Sequence, residues 1–381
     1  MTRRSVLLLS PFLLSFISCL FLFQFAASDP VFCVETEFRI GVLYWSMNIP
    51  GQVAMRDGLE AQARNINSEA AISGKPAVTL IPMIAGDGAE GIERQISQME
   101  KMVAMSPHLI IVQPTDNAAL AGPLRLANKA SIPVVAYDQY ISGGTLTSYI
   151  TSDNYQAGYL DGEYTAAHFP DDHKLKLILV EYPHVSSTVE RVDGFIDALK
   201  ENRQSFDIIG AYEAVEPAGG HRAGEAILRD FPVVGSIDAI FSVNDGGGLS
   251  VVDVLSRAGR REIFVATIDG DPKSIENIKT GNLTRIDSAQ FCGLLGAEAM
   301  KASYALLTGE KIPRHILVPA FPITRETIDL YPGWLGPMPA DFEKPWKSRD
   351  SLWRGAIINH DARLSPEINE KSSNTGVKHN D

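Results

Sequence analysis

The residues equipped for chemistry recur where short apolar runs give out. FRIGVLY leads into Tyr44, Trp45, Ser46, Met47, Asn48 and Ile49 before Pro50, and IPVVAY leads into Asp138, Gln139 and Tyr140. DAIFSV is followed by Asn244 and Asp245, and EIFVATI by Asp269. Carboxylate and carboxamide forks satisfy vicinal hydroxyls, and a flat aromatic face covers the C–H face of a sugar ring. This is equipment for holding a neutral polyol. Any one of these residues would equally suit a turn or a helix N-cap. Their repetition at the same end of one run after another favours a site, with Trp45, Asn48, Asp138, Gln139, Asn244 and Asp269 as candidates.

The elements that would position them alternate regularly. FRIGVLYW, AVTLIPMIA, HLIIVQP and PVVAYD read as strands, separated by the helical stretches VAMRDGLEAQARNIN, GIERQISQMEKMVAM and AALAGPLRLANKA. Continuous apolar strands between helices imply a parallel sheet covered on both faces, joined by right-handed crossovers. Ligands in such sheets lie beyond the carboxyl ends of the strands, where the candidates fall. After a glycine-rich break at Ser142–Thr145 the alternation resumes through LKLILVEYP, FDIIGAYEA, DAIFSVN and EIFVATID. The fold class is therefore α/β, with two doubly wound parallel-sheet lobes. From about Tyr331 the chain turns rich in Pro, Gly and Trp, so residues 331–360 are expected to wrap a surface rather than build a lobe. Residues 365–381 are polar and expected to be disordered.

Arg3 and Arg4, an apolar run from Val6 to Phe25 and the small residues Ala26, Ala27 and Ser28 follow the order of a secretory signal, with cleavage expected near Ser28 and a periplasmic destination. A retained membrane anchor is the competing reading, because the run approaches the roughly 20 residues that span a bilayer. The remaining chain is long enough for two ordinary domains without disulfides. Cys33 and Cys292 can pair or remain free thiols. A formal charge of −12 disfavours nucleic acid and anionic membranes as partners.

Enzyme signatures are missing from the sequence: there is no GxSxG, no HExxH and no close pair of His ligands. His184 and His221 are read as loop residues. Gly86-Asp87-Gly88-Ala89-Glu90-Gly91 matches GxGxxG, but it follows the second strand, and no acid stands about 20 residues on to hold a ribose. Gly246-Gly247-Gly248 lacks the Lys and Ser/Thr of a phosphate loop. No catalysis, cofactor or metal is expected.

Ordered motifs over about Phe38–Glu326 carry a family likeness: SMNIPGQVAMRDGLEAQA, IVQPTDNAAL, IPVVAYDQ, SDNYQAGY, ERVDGF, FSVNDGGGLSVVDVL, IDGDPKSIENIKTGNL and LLTGEKIP. The chain resembles the type I periplasmic sugar-binding proteins, the ribose-binding group of ABC-importer components. The resemblance implies three hinge crossings, near Tyr149–Ser152, Asp287–Gln290 and Lys311–His315. It places one lobe at 38–150 plus 290–312 and the other at 151–289 plus 315–328. It also implies binding roles for Asp138, Asn244, Asp269 and the hinge Gln290. Where the ribose-binding pattern has Arg this chain has Gln139, and the cleft Arg two residues before ERxxGF is Val189, while Arg191 matches a neighbour that can be merely structural. Gly51 and Gln52 replace two stacking aromatics, a loss that Trp45 or Tyr44 can offset. These departures argue against ribose itself. The implied partners are a small polar ligand and the permease of an ABC importer. The alternatives are a sensor kinase or chemoreceptor docked on the Pro/Trp-rich tail, or an exported sugar-acting enzyme.

Overall fold

Residues 36–360 are described by a computed structural model of the chain. The expected signal segment, Cys33 and residues 365–381 lie outside the described residues.

Strands of near-continuous apolar character form the centre of each lobe. In the first, β1 (Glu37–Tyr44), β2 (Ala77–Ile84), β3 (Leu109–Val112), β4 (Val134–Tyr137) and β5 (Ser148–Ser152) alternate with α1 (Pro50–Ser73), α2 (Gly88–Ala104) and α3 (Ala121–Lys129). Both β3 (LIIV) and β4 (VVAY) are buried at every position, as sheet strands covered on both faces must be. In the second, α4 (Asn154–His168), β6 (Leu175–Glu181), α5 (Ser186–Glu201), β7 (Phe206–Glu213), α6 (Pro217–Asp230), β8 (Ala239–Ser242), α7 (Asp245–Arg257), β9 (Phe264–Asp269), α8 (Pro272–Thr280) and β10 (Thr284–Ala289) repeat the pattern. The chain then returns to the first lobe through α9 (Cys292–Leu307) and β11 (His315–Val318), and to the second through β12 (Phe321–Ile323). Helix limits follow local chemistry. Pro50 opens α1, where its missing N–H costs nothing, and Gly74 closes it at φ 71°.

The first sheet has seven strands. Its order is β15-β11-β5-β4-β3-β1-β2, where β15 is Ile358–His360. The second has six, ordered β12-β10-β9-β8-β6-β7. Pairing is parallel except for the edge additions, β15 on β11 and β12 on β10. The expected third crossing at Lys311–His315 needs correction, as does the assignment of residues from 315 to the second lobe. His315–Val318 pairs in parallel with Tyr149–Ser152 in the first sheet, so the crossing falls at Pro319–Ala320. The apolar HILV run completes the first sheet, and Pro319, which has no N–H for the ladder, ends it. His221, read as a loop residue, stands in α6 and faces Glu225 one turn on.

Helices α4 and α5 meet through glycine. A Cβ built on Gly158 would lie 1.8 Å from the Arg191 carbonyl oxygen, and one on Gly194 would lie 2.1 Å from that of Tyr155. This contact holds α5 close against α4.

Beyond Tyr331 the chain runs along the crossings and touches both lobes. Trp334 Nε1 donates to the Asp269 carbonyl at 2.6 Å, and Gly293 N donates to the Trp334 carbonyl at 3.1 Å. Lys344 Nζ meets Glu163 of α4 at 2.6 Å with both side chains buried, and Trp346 Nε1 donates to the same carboxylate. Trp353, in a two-stranded ribbon of β13 (Phe342–Glu343) and β14 (Leu352–Trp353), donates to the Ala320 carbonyl and packs with Phe321 and Phe342. The end of this segment adds β15 to the first sheet as an edge strand, more integration than a surface wrap requires.

Candidate ligand-binding cleft

Strand ends from both sheets converge on one small hollow. Trp45, Ile49, Gln52 and Met55 line it from the end of β1 and the start of α1, and Asp138 and Gln139 from the end of β4. Across from them stand Ser187, Thr188 and Arg191 of α5, with Val215, Asn244, Asp269 and Gln290. The structure therefore gathers Trp45, Asp138, Gln139, Asn244, Asp269 and Gln290. Asn48 is the exception: it is exposed and donates to Asp87 Oδ2 at 2.7 Å, outside the hollow. Pro50 starts α1 immediately after this turn, leaving Asn48 on its outer side. Tyr44 also points elsewhere, its hydroxyl 3.3 Å from Glu60 in the first-lobe interior.

Two aspartates hold backbone conformations that suit glycine, Asp138 at φ 66° and Asp269 at φ 132°. Each costs about 1–3 kcal/mol and persists only where its surroundings dictate it. At Asp138, the N–H donates to the Ile150 carbonyl, while the carbonyl accepts from Tyr149 Oη at 3.1 Å and Thr151 Oγ1 at 2.9 Å. At Asp269, Trp334 holds the carbonyl, Asp287 accepts from Gly270 N at 2.9 Å, and Asp245 accepts from Asp271 N at 2.8 Å. These turns aim both carboxylates into the hollow.

The side-chain network is specific. Arg191 is almost wholly buried; its Nε donates to Asn154 Oδ1, and its Nη1 to the Val243 carbonyl at 2.7 Å and to Asp269 Oδ1 at 3.1 Å. Gln290 Nε2 donates to the same Asp269 oxygen at 2.6 Å. Asn244 caps α7 by accepting from Gly247 N and donates to the Val215 carbonyl, so the cap and cleft readings both describe it. Gln113, outside the candidate set, donates to Asp138 Oδ2 at 2.9 Å and so fixes that carboxylate. Burial pushes the Asp138 carboxyl up to about 6 against the lowering effect of Gln113 and Arg191. Burial also raises Asp269, with Arg191 and Gln290 pulling the other way.

The two lobes touch across this cleft. Ser187 Oγ donates to Gln139 Oε1 at 2.9 Å, Tyr140 N to Ser186 Oγ at 3.2 Å, Ser186 N to Asn117 Oδ1 at 2.9 Å, and Gly88 N to Glu216 Oε1 at 3.0 Å. Gln139 is thus a bridge between lobes as well as a lining residue. The glycine-rich turn at Gly86–Gly91 supplies one of these contacts and needs no nucleotide to account for it. Ser187, Thr188 and Arg191 were missed as site residues. The strand-end rule, applied to LKLILVEYP, points to this segment.

Beneath the Asp269 turn lie Asp245 and Asp287, both buried, with Asp245 accepting from Thr267 Oγ1 at 2.9 Å and Asp287 from Gly270 N. Burial pushes Asp287 up to about 8 and Asp245 well above its ordinary value. The folded protein therefore retains a proton that the unfolded chain releases near pH 4. This contribution to stability is complete below about pH 4 and is lost as pH rises through 8. Asp287→Asn, which keeps an acceptor for Gly270 N, is expected to flatten the decline in melting temperature between pH 6 and pH 9. Parallel wild-type and variant curves would contradict the retained proton.

A model of the family described as periplasmic binding protein domain matches residues 40–311, and the chain belongs to that family. The fold is that of the type I periplasmic binding proteins. Among curated relatives, the ribose import binding protein of Salmonella typhimurium is 24% identical over 274 residues, which cover 72% of this chain and 86% of the relative. Among solved structures, an ABC transporter solute-binding protein of Agrobacterium vitis with bound α-D-tagatopyranose is 25% identical at a TM-score of 0.65, covering 76% of this chain and 96% of its own. Another from Bacillus halodurans with bound myo-inositol has a TM-score of 0.67 at 22% identity, covering 78% and 97%.

Proposed function

We propose that this protein captures a small polyhydroxylated ligand, a sugar or sugar-like polyol, between its lobes and delivers it to the permease of an ABC importer from the periplasm. The carrying observation is the convergence of Asp138, Asn244 and Asp269 from two sheets on one hollow beside Trp45. Asp138, Asn244, Asp269 and Gln290 would orient ligand hydroxyls, and Trp45 would cover an apolar ring face. Affinity would come from fixed polar partners in a closed, water-poor cleft. Ligand exchange requires the cross-cleft bonds of Gln139, Tyr140 and Gly88 to break, so opening is a rotation at the crossings. The named activity of the ribose import relative and the ligands of the neighbouring structures support a binding role rather than turnover.

Thermal unfolding with a panel of pentoses, hexoses and cyclic or acyclic polyols tests this reading. A ligand at 100 times its Kd should add about 2.7 kcal/mol to the native state, and it should be recovered chemically unchanged. A panel without any stabilising member, or a ligand consumed on incubation, would overturn it.

A further inference from the structure

The charges around the hollow do not balance. Asp138, Asp269 and Arg191 are the acidic and basic side chains lining the hollow, and Arg191 is committed to Asp269 at 3.1 Å. Among the described residues, no cationic side chain pairs with Asp138. A side-chain donor on its carboxylate is the neutral amide of Gln113, at 2.9 Å. A carboxylate enclosed without a cation is costly, and it either takes up a proton or meets a positive charge.

A second observation concerns the kind of hydrogen bond left open. Gln290 must turn its Nε2 toward the acceptor Asp269, which fixes Oε1 as the remaining atom, and that oxygen is buried without a partner among the described residues. The hollow thus holds an unpartnered acceptor and a carboxylate without an ion-pair partner, alongside the amide donors of Gln52 and Gln139. An ammonium supplies up to three donors and no acceptor. The indole of Trp45 lines the same hollow, and its backbone N–H shares Gln113 with Asp138. An aromatic ring beside a carboxylate is a combination that attracts alkylammonium groups.

We infer that the ligand is an aminated polyol, an amino sugar or amino-cyclitol, whose protonated amine lies against Asp138 while its hydroxyls meet Asn244, Asp269 and Gln290. This rests on the polyol-binding reading above and narrows its ligand class. A neutral sugar fills the hydroxyl contacts but leaves Asp138 without an ion-pair partner. An aminated ligand neutralises it, and charge-assisted contacts are roughly twice as strong as neutral ones.

Calorimetric titration at pH 7 with matched pairs, each a neutral sugar or cyclitol and the same ring with one hydroxyl replaced by an amine, tests the inference. At least one aminated member should bind tenfold or more tightly than its parent. Asp138→Asn should bring that ratio close to one, whatever it does to absolute affinity. If the parents bind as well as or better than every aminated partner in the wild-type protein, the aminated class is wrong and polyol capture stands. If no member of either series binds, both readings fall. A ratio above ten that persists in a folded Asp138→Asn protein would move the amine away from Asp138 and overturn the placement.

Discussion

Arg191→Ala is expected to lose about 3–5 kcal/mol of folding stability and the ligand response together. Deleting one partner of a buried ion pair leaves the other charge enclosed and uncompensated. Here the stranded group is Asp269, which is held in a strained turn and faces a hollow rather than bulk water. Asn154 Oδ1 and the Val243 carbonyl lose donors at the same time. Denaturant unfolding would measure the loss, and titration of any ligand found by the panel would measure the response. Pairing Arg191→Met with Asp269→Asn should recover much of the stability, because neither charge remains, without restoring binding. A single-variant loss below about 1 kcal/mol would mean that water already reaches Asp269 and that the ion pair is not enclosed.

Gly158→Ala is expected to destabilise the second lobe and displace the wall of the cleft. With a Cβ 1.8 Å from the Arg191 carbonyl, the contact cannot be absorbed by turning a side chain, so α4 and α5 must separate. Overpacking of this kind costs about 1–3 kcal/mol and often more when backbone must move. Because α5 carries Ser187, Thr188 and Arg191, the shift should reach the site as a loss of ligand affinity larger than the stability change alone explains. Gly122→Ala is the control. Its added methyl meets nothing within 4 Å, so it should be neutral or mildly stabilising. Similar behaviour of the two variants in urea unfolding would show that the helices are loosely joined.

Much of the architecture was legible because apolar strands and amphipathic helices announce themselves by period. The strand-end rule points to Trp45, Asp138, Gln139, Asn244 and Asp269, which the fold brings around one hollow. What escaped the sequence involved side-chain direction and competition. Asn48 occupies the right turn but points outward to Asp87, a choice made by the entry angle of α1. In sequence Arg191 is an arginine that can be merely structural, and only its bonds to the Val243 carbonyl and Asp269 bring it to the site. Gln113 lies one residue beyond a buried strand and acts on Asp138 across 25 positions of sequence. The third crossing was misplaced because HILV has two plausible partners, and only pairing with β5 decides between them.

The segment after Tyr331 bears on how the halves can move. Its contacts reach the Asp269 carbonyl, the buried Glu163, the Ala320 carbonyl and the edge of the first sheet. A tether fixed at several points along the rear leaves turning about that line as the inexpensive motion and resists sliding of one half past the other. Solute exchange would then use a jaw-like swing with its pivot set partly by this added stretch of chain, so its length and sequence would tune how wide the mouth gapes.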